Sequence, residues 1–159
     1  LGKKSFEILK DSHFGAFAVI RLCCYFAAYF GLCGSVRFTP RAGLCWTLAL
    51  VLERALSGFA VAAFPLAKDT GLAHTFATAA AQQTVRRFLC GLSALLVLAL
   101  TALGGGGLAA AALLALWRYD SVAKKQFGGI TGDLAGWLLQ RAELWMLAAL
   151  AVSQWGGVL

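Results

Sequence analysis

Charge is what this chain has least of: only 13% of its 159 residues are Asp, Glu, Lys or Arg, and just seven of them are acidic. With 60% hydrophobic residues and a mean hydropathy of +0.77, that scarcity excludes an ordinary soluble globular domain. There is no C-x-x-C pair and no His at metal-ligand spacing. Cys23, Cys24, Cys33, Cys45 and Cys90 lie almost all in apolar segments and are expected to be small buried hydrophobes, with no disulfide framework and no zinc site. No basic stripe with interleaved aromatics occurs outside the apolar segments, which argues against nucleic acid as a partner. The chain opens at Leu1 on an amphipathic arm, residues 3–10, without a signal-peptide pattern, so a further segment upstream is expected.

What the chain does have is long apolar runs, at 14–34, 44–66, 88–103, 108–119 and 134–153. Crossing the hydrocarbon core takes roughly 20 residues, so the first, second and fifth qualify and the third and fourth are short. Between the short pair stand Gly104, Gly105, Gly106 and Gly107, a run that disfavours helix and favours a tight turn. Extended at their outer ends, the two segments form a hairpin, fully spanning or re-entrant. The expected fold is an all-α polytopic transmembrane helical bundle, a single transmembrane domain over 1–159 with about five membrane segments.

Basic loops tend to stay in the cytoplasm, and the hairpin gives the stronger asymmetry. One face receives Lys3, Lys4, Lys10, Lys68, Arg86, Arg87, Arg118, Lys124 and Lys125, whereas the other receives only Arg37 and Arg41. The basic face would attract anionic lipid heads or an anionic substrate. An integral protein of the bacterial inner membrane with a cytoplasmic active face is the expected location.

Five charges fall inside the predicted spans: Arg21, Glu53, Arg54, Arg141 and Glu143. Each costs at least about 2.5 kcal/mol at the bilayer centre, so they must meet partners on other helices or a watery cavity. Glu53 and Arg54 are adjacent and expected to diverge around their helix, pairing elsewhere and not with each other; Arg141 and Glu143, two apart, diverge too. Gluing helices together and lining a polar site both remain open.

The most informative motif is Phe127-Gly128-Gly129-Ile130-Thr131-Gly132-Asp133, directly before the last apolar run. Glycines let backbone wrap closely around a ligand, and an acid at a helix start can hold the cation that an anionic ligand needs. A flexible turn and a helix-capping Asp133 are the plainer alternatives.

Three stretches together resemble cobalamin synthase, the membrane enzyme family also called adenosylcobinamide-GDP ribazoletransferase. Lys10-Asp11-Ser12 with Phe14-Gly15 is similar to its Lys-Asp-Ser segment. Arg54, Pro65, Lys68 and Gly71-Leu72 resemble its Arg, Pro-x-x-basic and Gly-Leu pattern. Gly128-Gly129-Ile130-Thr131-Gly132-Asp133, with Gly136 and Glu143 beyond, resembles its Gly-Gly-Ile-Thr-Gly-Asp signature. The likeness covers nearly the whole chain but only the C-terminal part of the family's length. The family's further N-terminal helices and its acidic Asp-Gly segment, which looks like a divalent-metal site, are not matched. The chain departs from the pattern at His13, where Arg is usual, and at Leu66 and Lys68, where Tyr and Arg are common. Lys68 keeps the charge but not the planar fork that grips phosphate.

The resemblance implies transfer of an adenosylcobinamide-phosphate unit from its GDP-activated form to alpha-ribazole or its phosphate, releasing GMP. Such a phosphoryl centre needs charge neutralisation and in-line positioning more than covalent help. Mg2+ is the implied cofactor, taking one or two carboxylates plus substrate phosphates, with Asp11 and Asp133 as its ligands. Lys10 would neutralise the diphosphate beside them. Ser12, Arg54, Lys68, Gly128, Gly129, Thr131 and Gly132 would bind substrate. For the lysines, snorkelling to the interface is the plainer role; for Asp11 or Ser12, capping the first helix. His13 is a candidate base for the ribose hydroxyl. Implied partners are the corrinoid nucleotide, alpha-ribazole and membrane lipids, with a homo-oligomer or partner subunit compatible with the many small residues. Two other functions remain open on sequence alone: a non-catalytic membrane remnant or scaffold, and a small-solute transporter.

Overall fold

The computed structural model describes residues 15–64, 82–127, 129 and 132–159, leaving the side chains of 126, 127, 132 and 133 aside. Five α-helices account for nearly all of it: α1 Ala16–Ser35, α2 Pro40–Ala63, α3 Gln82–Ala102, α4 Gly106–Val122 and α5 Gly132–Trp155. A π-helical turn, Ala123–Phe127, continues α4. No strand is present among the described residues, and the expected all-helical bundle is what forms.

Local chemistry sets the helix ends. Thr39 caps α2 by accepting from Ala42 N at 3.1 Å, and Pro40 occupies the first turn, where its missing N–H is not needed. At the end of α3, Gly104 takes a φ of +84° while its N–H bonds Thr101 O at 3.1 Å and Gly105 N bonds Leu100 O at 2.7 Å. This paired pattern is a Schellman cap, and it turns the chain straight into α4. The predicted α3–α4 hairpin is therefore real, but the turn is shorter than the glycine run: Gly106 and Gly107 already belong to α4.

Three segments differ in extent from expectation. The third span runs to Gln82 at its outer end because the polar residues there sit at the bundle's rim; Gln82 donates to Ala62 O at 3.1 Å. By length and composition α1, α2 and α3 are the described helices able to cross a membrane, with mean hydropathies of 1.8, 1.5 and 1.7. α5 has 24 residues but carries Gln140, Arg141 and Glu143 in its middle, so it is not among them, contrary to the estimate from the sequence. α4, with 17 residues, is about 26 Å long at 1.5 Å per residue, slightly short of a core of about 30 Å.

The core lies around α2, which packs on α3, α4 and α5. Its buried face is made largely of small residues, Ala42, Cys45, Ala49, Ala55 and Ala60, with Leu52, Glu53 and Leu56 among them. α4 answers with Ala109, Ala112 and Ala115, and α5 with Leu138, Ala142, Met146 and Leu150. Small side chains let backbones approach closely, which supplies van der Waals contact where lipid offers no hydrophobic drive. α1 buries no residue and rests on α5. The cysteine expectation holds only in the core: Cys45 is buried and Cys33 half-buried, whereas Cys23, Cys24 and Cys90 are exposed on the bundle's outer surface.

Both ends of the bundle are tied. At one end, Gln154 clamps the α1–α2 connection, accepting from Arg37 N at 2.9 Å and donating to Arg37 O at 2.6 Å, while Arg41 Nε donates to Leu103 O at 2.9 Å. At the other end, the Lys124 ammonium lies 5.7 Å from the Phe64 ring centre and 2.7 Å from Asp120. The starts of α1, α3 and α5 thus share one end with the π turn, and Arg37 and Arg41 share the other with the hairpin.

Candidate functional site

Midway along the bundle, one guanidinium faces two carboxylates from two helices. Arg54 on α2 places Nη2 3.2 Å from Glu143 Oε1 on α5 and Nε 3.3 Å from Glu53 Oε1 on its own helix. The cross-helix pair was expected, but the contact with Glu53 corrects the view that neighbours must diverge. The long, 61% exposed Arg54 side chain folds back across the helix and spans both acids. Glu53 is 1% exposed and neither of its oxygens accepts a hydrogen bond. A carboxylate taken out of water this completely is costly unless paired, so Arg54 is what makes Glu53 tolerable there. Beside the cluster opens a cleft of about 430 Å³ lined by Tyr29, Trp46, Thr47 and Val51 together with Arg54 and Glu143.

The glycine-rich run lies at the end where α1 starts. Gly129 is buried, and its N–H bonds Ala123 O at 3.2 Å, which ties it to the start of the π turn. Single π turns in helices are frequent at functional sites. Gly132 opens α5 and puts Asp133 in its first turn, where a negative charge is favoured by the helix dipole. Lys10, Asp11, Ser12, His13, Lys68, Gly128 and Thr131 lie outside the described residues, as does the Asp133 side chain. Of the assigned site residues, the structure therefore places Arg54, Gly129, Gly132 and the backbone of Asp133. Arg54 stands well inside α2, whereas Gly129 follows the π turn at the end of α4.

A second charged region was only half seen in the sequence. Arg141 diverges from Glu143, as expected, and its guanidinium stacks 5.5 Å from the Trp137 ring centre. Arg21 faces it from α1 across a cleft of about 670 Å³, and Arg118, expected in a loop, is inside α4 and lines a smaller pocket of about 100 Å³ with the same Trp137 and Arg141. The i, i+4 spacing of Trp137, Arg141 and Trp145 on one helix face was legible in the sequence, but which helices it would face was not.

The fold and these charged clefts define a class first: a polytopic helical membrane protein with polar sites inside and at one end of its bundle. Comparison then specifies it. A family model described as cobalamin-5-phosphate synthase matches residues 2–151, and the chain belongs to that family. It is 41% identical over 160 residues to the adenosylcobinamide-GDP ribazoletransferase of Lachnoclostridium phytofermentans, covering 94% of this chain and 57% of that protein. Proteins of the same name from Roseiflexus sp. and Geobacillus kaustophilus are 34% and 31% identical, over 95% and 90% of this chain and 55% and 57% of their own lengths. The chain thus spans a little over half of these relatives. No solved structure matches it.

Proposed function

We propose that this chain forms part of a membrane transferase that moves an adenosylcobinamide-phosphate unit from its GDP-activated form to alpha-ribazole or its phosphate, with release of GMP. The observation that carries this reading is the family match over residues 2–151, which includes all three resembling stretches. The geometry supports it at two points. Gly129 and the start of α5 lie at the end at which α1 begins, and Lys10, Asp11 and Ser12 precede α1 by a few residues in the sequence. The basic groups Arg86, Arg87, Lys124 and Lys125 belong to that same end, which suits a cytoplasmic face and anionic substrates.

For Mg2+, the residue types fit the ion's habits: two acids, Asp11 a few residues ahead of α1 in the sequence and Asp133 in the first turn of α5, with substrate phosphate oxygens to complete the shell. The described carboxylates Glu53, Glu143 and Asp120 are each paired with a cation and are not the candidates. Bound there, the ion would offset the charge of the diphosphate. The chain's own groups would do the remainder: Lys10 neutralises, the amides of Gly128 and Gly132 donate to phosphate oxygens, Gly129, its own N–H held by Ala123 O, allows close backbone approach, and Thr131 donates its hydroxyl.

The test is GMP release from adenosylcobinamide-GDP by the chain in phosphatidylcholine vesicles with alpha-ribazole and Mg2+, alone and supplied with the unmatched portion of the Lachnoclostridium relative. Release that requires acceptor is expected; an inert chain under both conditions overturns the reading. Asp133→Asn should lower release by about a hundredfold or more without affecting insertion, as expected for losing a group that stabilises developing charge. Unchanged release would remove Asp133 from the site.

A further inference from the structure

We infer that the cleft between α1 and α5 binds a phosphate ester, gripped by Arg21 and Arg141 with Trp137 as its aromatic wall and Arg118 in the adjoining pocket. The inference is independent of the proposed transfer and concerns residues that the three resembling stretches do not include.

The charge balance is the first argument. Among the described residues, Glu53 and Glu143 are held by Arg54 and Asp120 by Lys124, and no carboxylate lies within ion-pair distance of Arg21, Arg118 or Arg141. Arg21 and Arg141 thus line the cleft, and Arg118 and Arg141 the smaller pocket, with no counter-charge among the described residues, and Arg141 and Trp137 form the wall common to both. Position sharpens the point. Counting 1.5 Å per residue from the basic end of the bundle, Arg118 is about 6 Å, Arg21 about 8 Å and Arg141 about 13 Å inside the helices. Like charges grouped this way repel one another, and an anion between them offsets that repulsion.

The second argument is chemical fit. Guanidinium groups offer parallel N–H pairs that match phosphate oxygens, which is why arginine and not lysine suits phosphate recognition. Trp137, already stacked on Arg141, together with Tyr25 offers flat faces, and Gln140 adds an amide. A cleft of about 670 Å³ is in the range that holds a small organic ligand. Its mouth lies between two helices near the membrane boundary, so the phosphate can arrive either on a lipid headgroup from the side or on a soluble ester from the water.

Phenylglyoxal modification of the unaltered chain, mapped residue by residue by mass spectrometry, tests this without relying on a variant that must fold. In discs of phosphatidylcholine alone, added inorganic pyrophosphate should protect Arg21 and Arg141 while Arg37, at the far end, stays reactive; that outcome identifies a soluble source. Protection that needs phosphatidylglycerol in the disc, and that pyrophosphate does not provide, identifies a lipid headgroup. Protection by neither, or equal protection of Arg37, overturns the proposal. For the probe that protects, Arg141→Gln should weaken binding by about tenfold or more and Arg141→Lys by less, since the charge remains but the fork is lost. Equal binding in wild type and Arg141→Gln also overturns it.

Discussion

Glu53 shows how much one side chain can depend on another. It is buried to 1% exposure with no hydrogen bond to either oxygen, and its tolerance rests on Arg54. Arg54→Gln should therefore destabilise the bundle by about 1–3 kcal/mol, the usual cost of stranding a buried polar group, discounted because Arg54 itself is largely exposed. Adding Glu53→Gln to it should restore most of the loss, because the stranded charge is then gone; unfolding of the chain in mixed micelles, followed by circular dichroism, measures both. Tyr119 gives the opposite sign. Its side chain is fully buried and its hydroxyl has no partner, so Tyr119→Phe should leave stability unchanged or raise it by about 1 kcal/mol. A loss of stability on that change would mean the hydroxyl is bonded.

At the scale of the element, the α3–α4 turn separates glycines that matter from those that do not. A Cβ at Gly104 would meet Arg41 Nη2 at 2.8 Å, and the residue's φ of +84° strains any other side chain, so Gly104→Ala should cost about 1–2 kcal/mol. Gly106 sits in the helix, where a Cβ would make an ordinary 3.6 Å contact with Thr101, so Gly106→Ala should gain about 0.5–1 kcal/mol. Thermal midpoints of the two variants in one detergent check the contrast in sign. The sequence announced this turn because four successive glycines oppose helix, but not where it would close, because the Schellman bonds depend on which carbonyls of α3 are left free. The same limit applies to α3, whose outer end bonds α2 through Gln82, a contact that local hydrophobicity does not announce. Of the site, a cross-helix partner for Arg54 was legible because buried charges must find partners on other helices, but that the partner would be Glu143 was not. The fold-back onto Glu53 and the facing of Arg21 across from Arg141 were not, since both arise from side-chain reach and from α1 resting on α5.

For the whole molecule, the helix directions make one joint statement about sidedness. The Arg37–Gln154 clamp and the Arg41–Leu103 bond gather the α1–α2 connection, the hairpin turn and the end of α5 at one boundary. The Gln82–Ala62 bond and the Lys124–Phe64 contact gather the other ends opposite them. The basic residues follow this division, so positive-inside bias and packing agree although they rest on different physics, one on insertion and the other on contact. In a chain whose five cysteines are replaced, single cysteines at positions 86 and 125 should react with a membrane-impermeant maleimide only from the cytoplasmic side, and one at position 37 only from the outside. A cysteine at position 11 should follow those at 86 and 125, because α1 starts at their end of the bundle and an active site built from Asp11 and Asp133 needs both on one side. Labelling of 11 and 125 from opposite sides would leave the bundle's packing intact while removing the shared rim on which the transferase proposal depends.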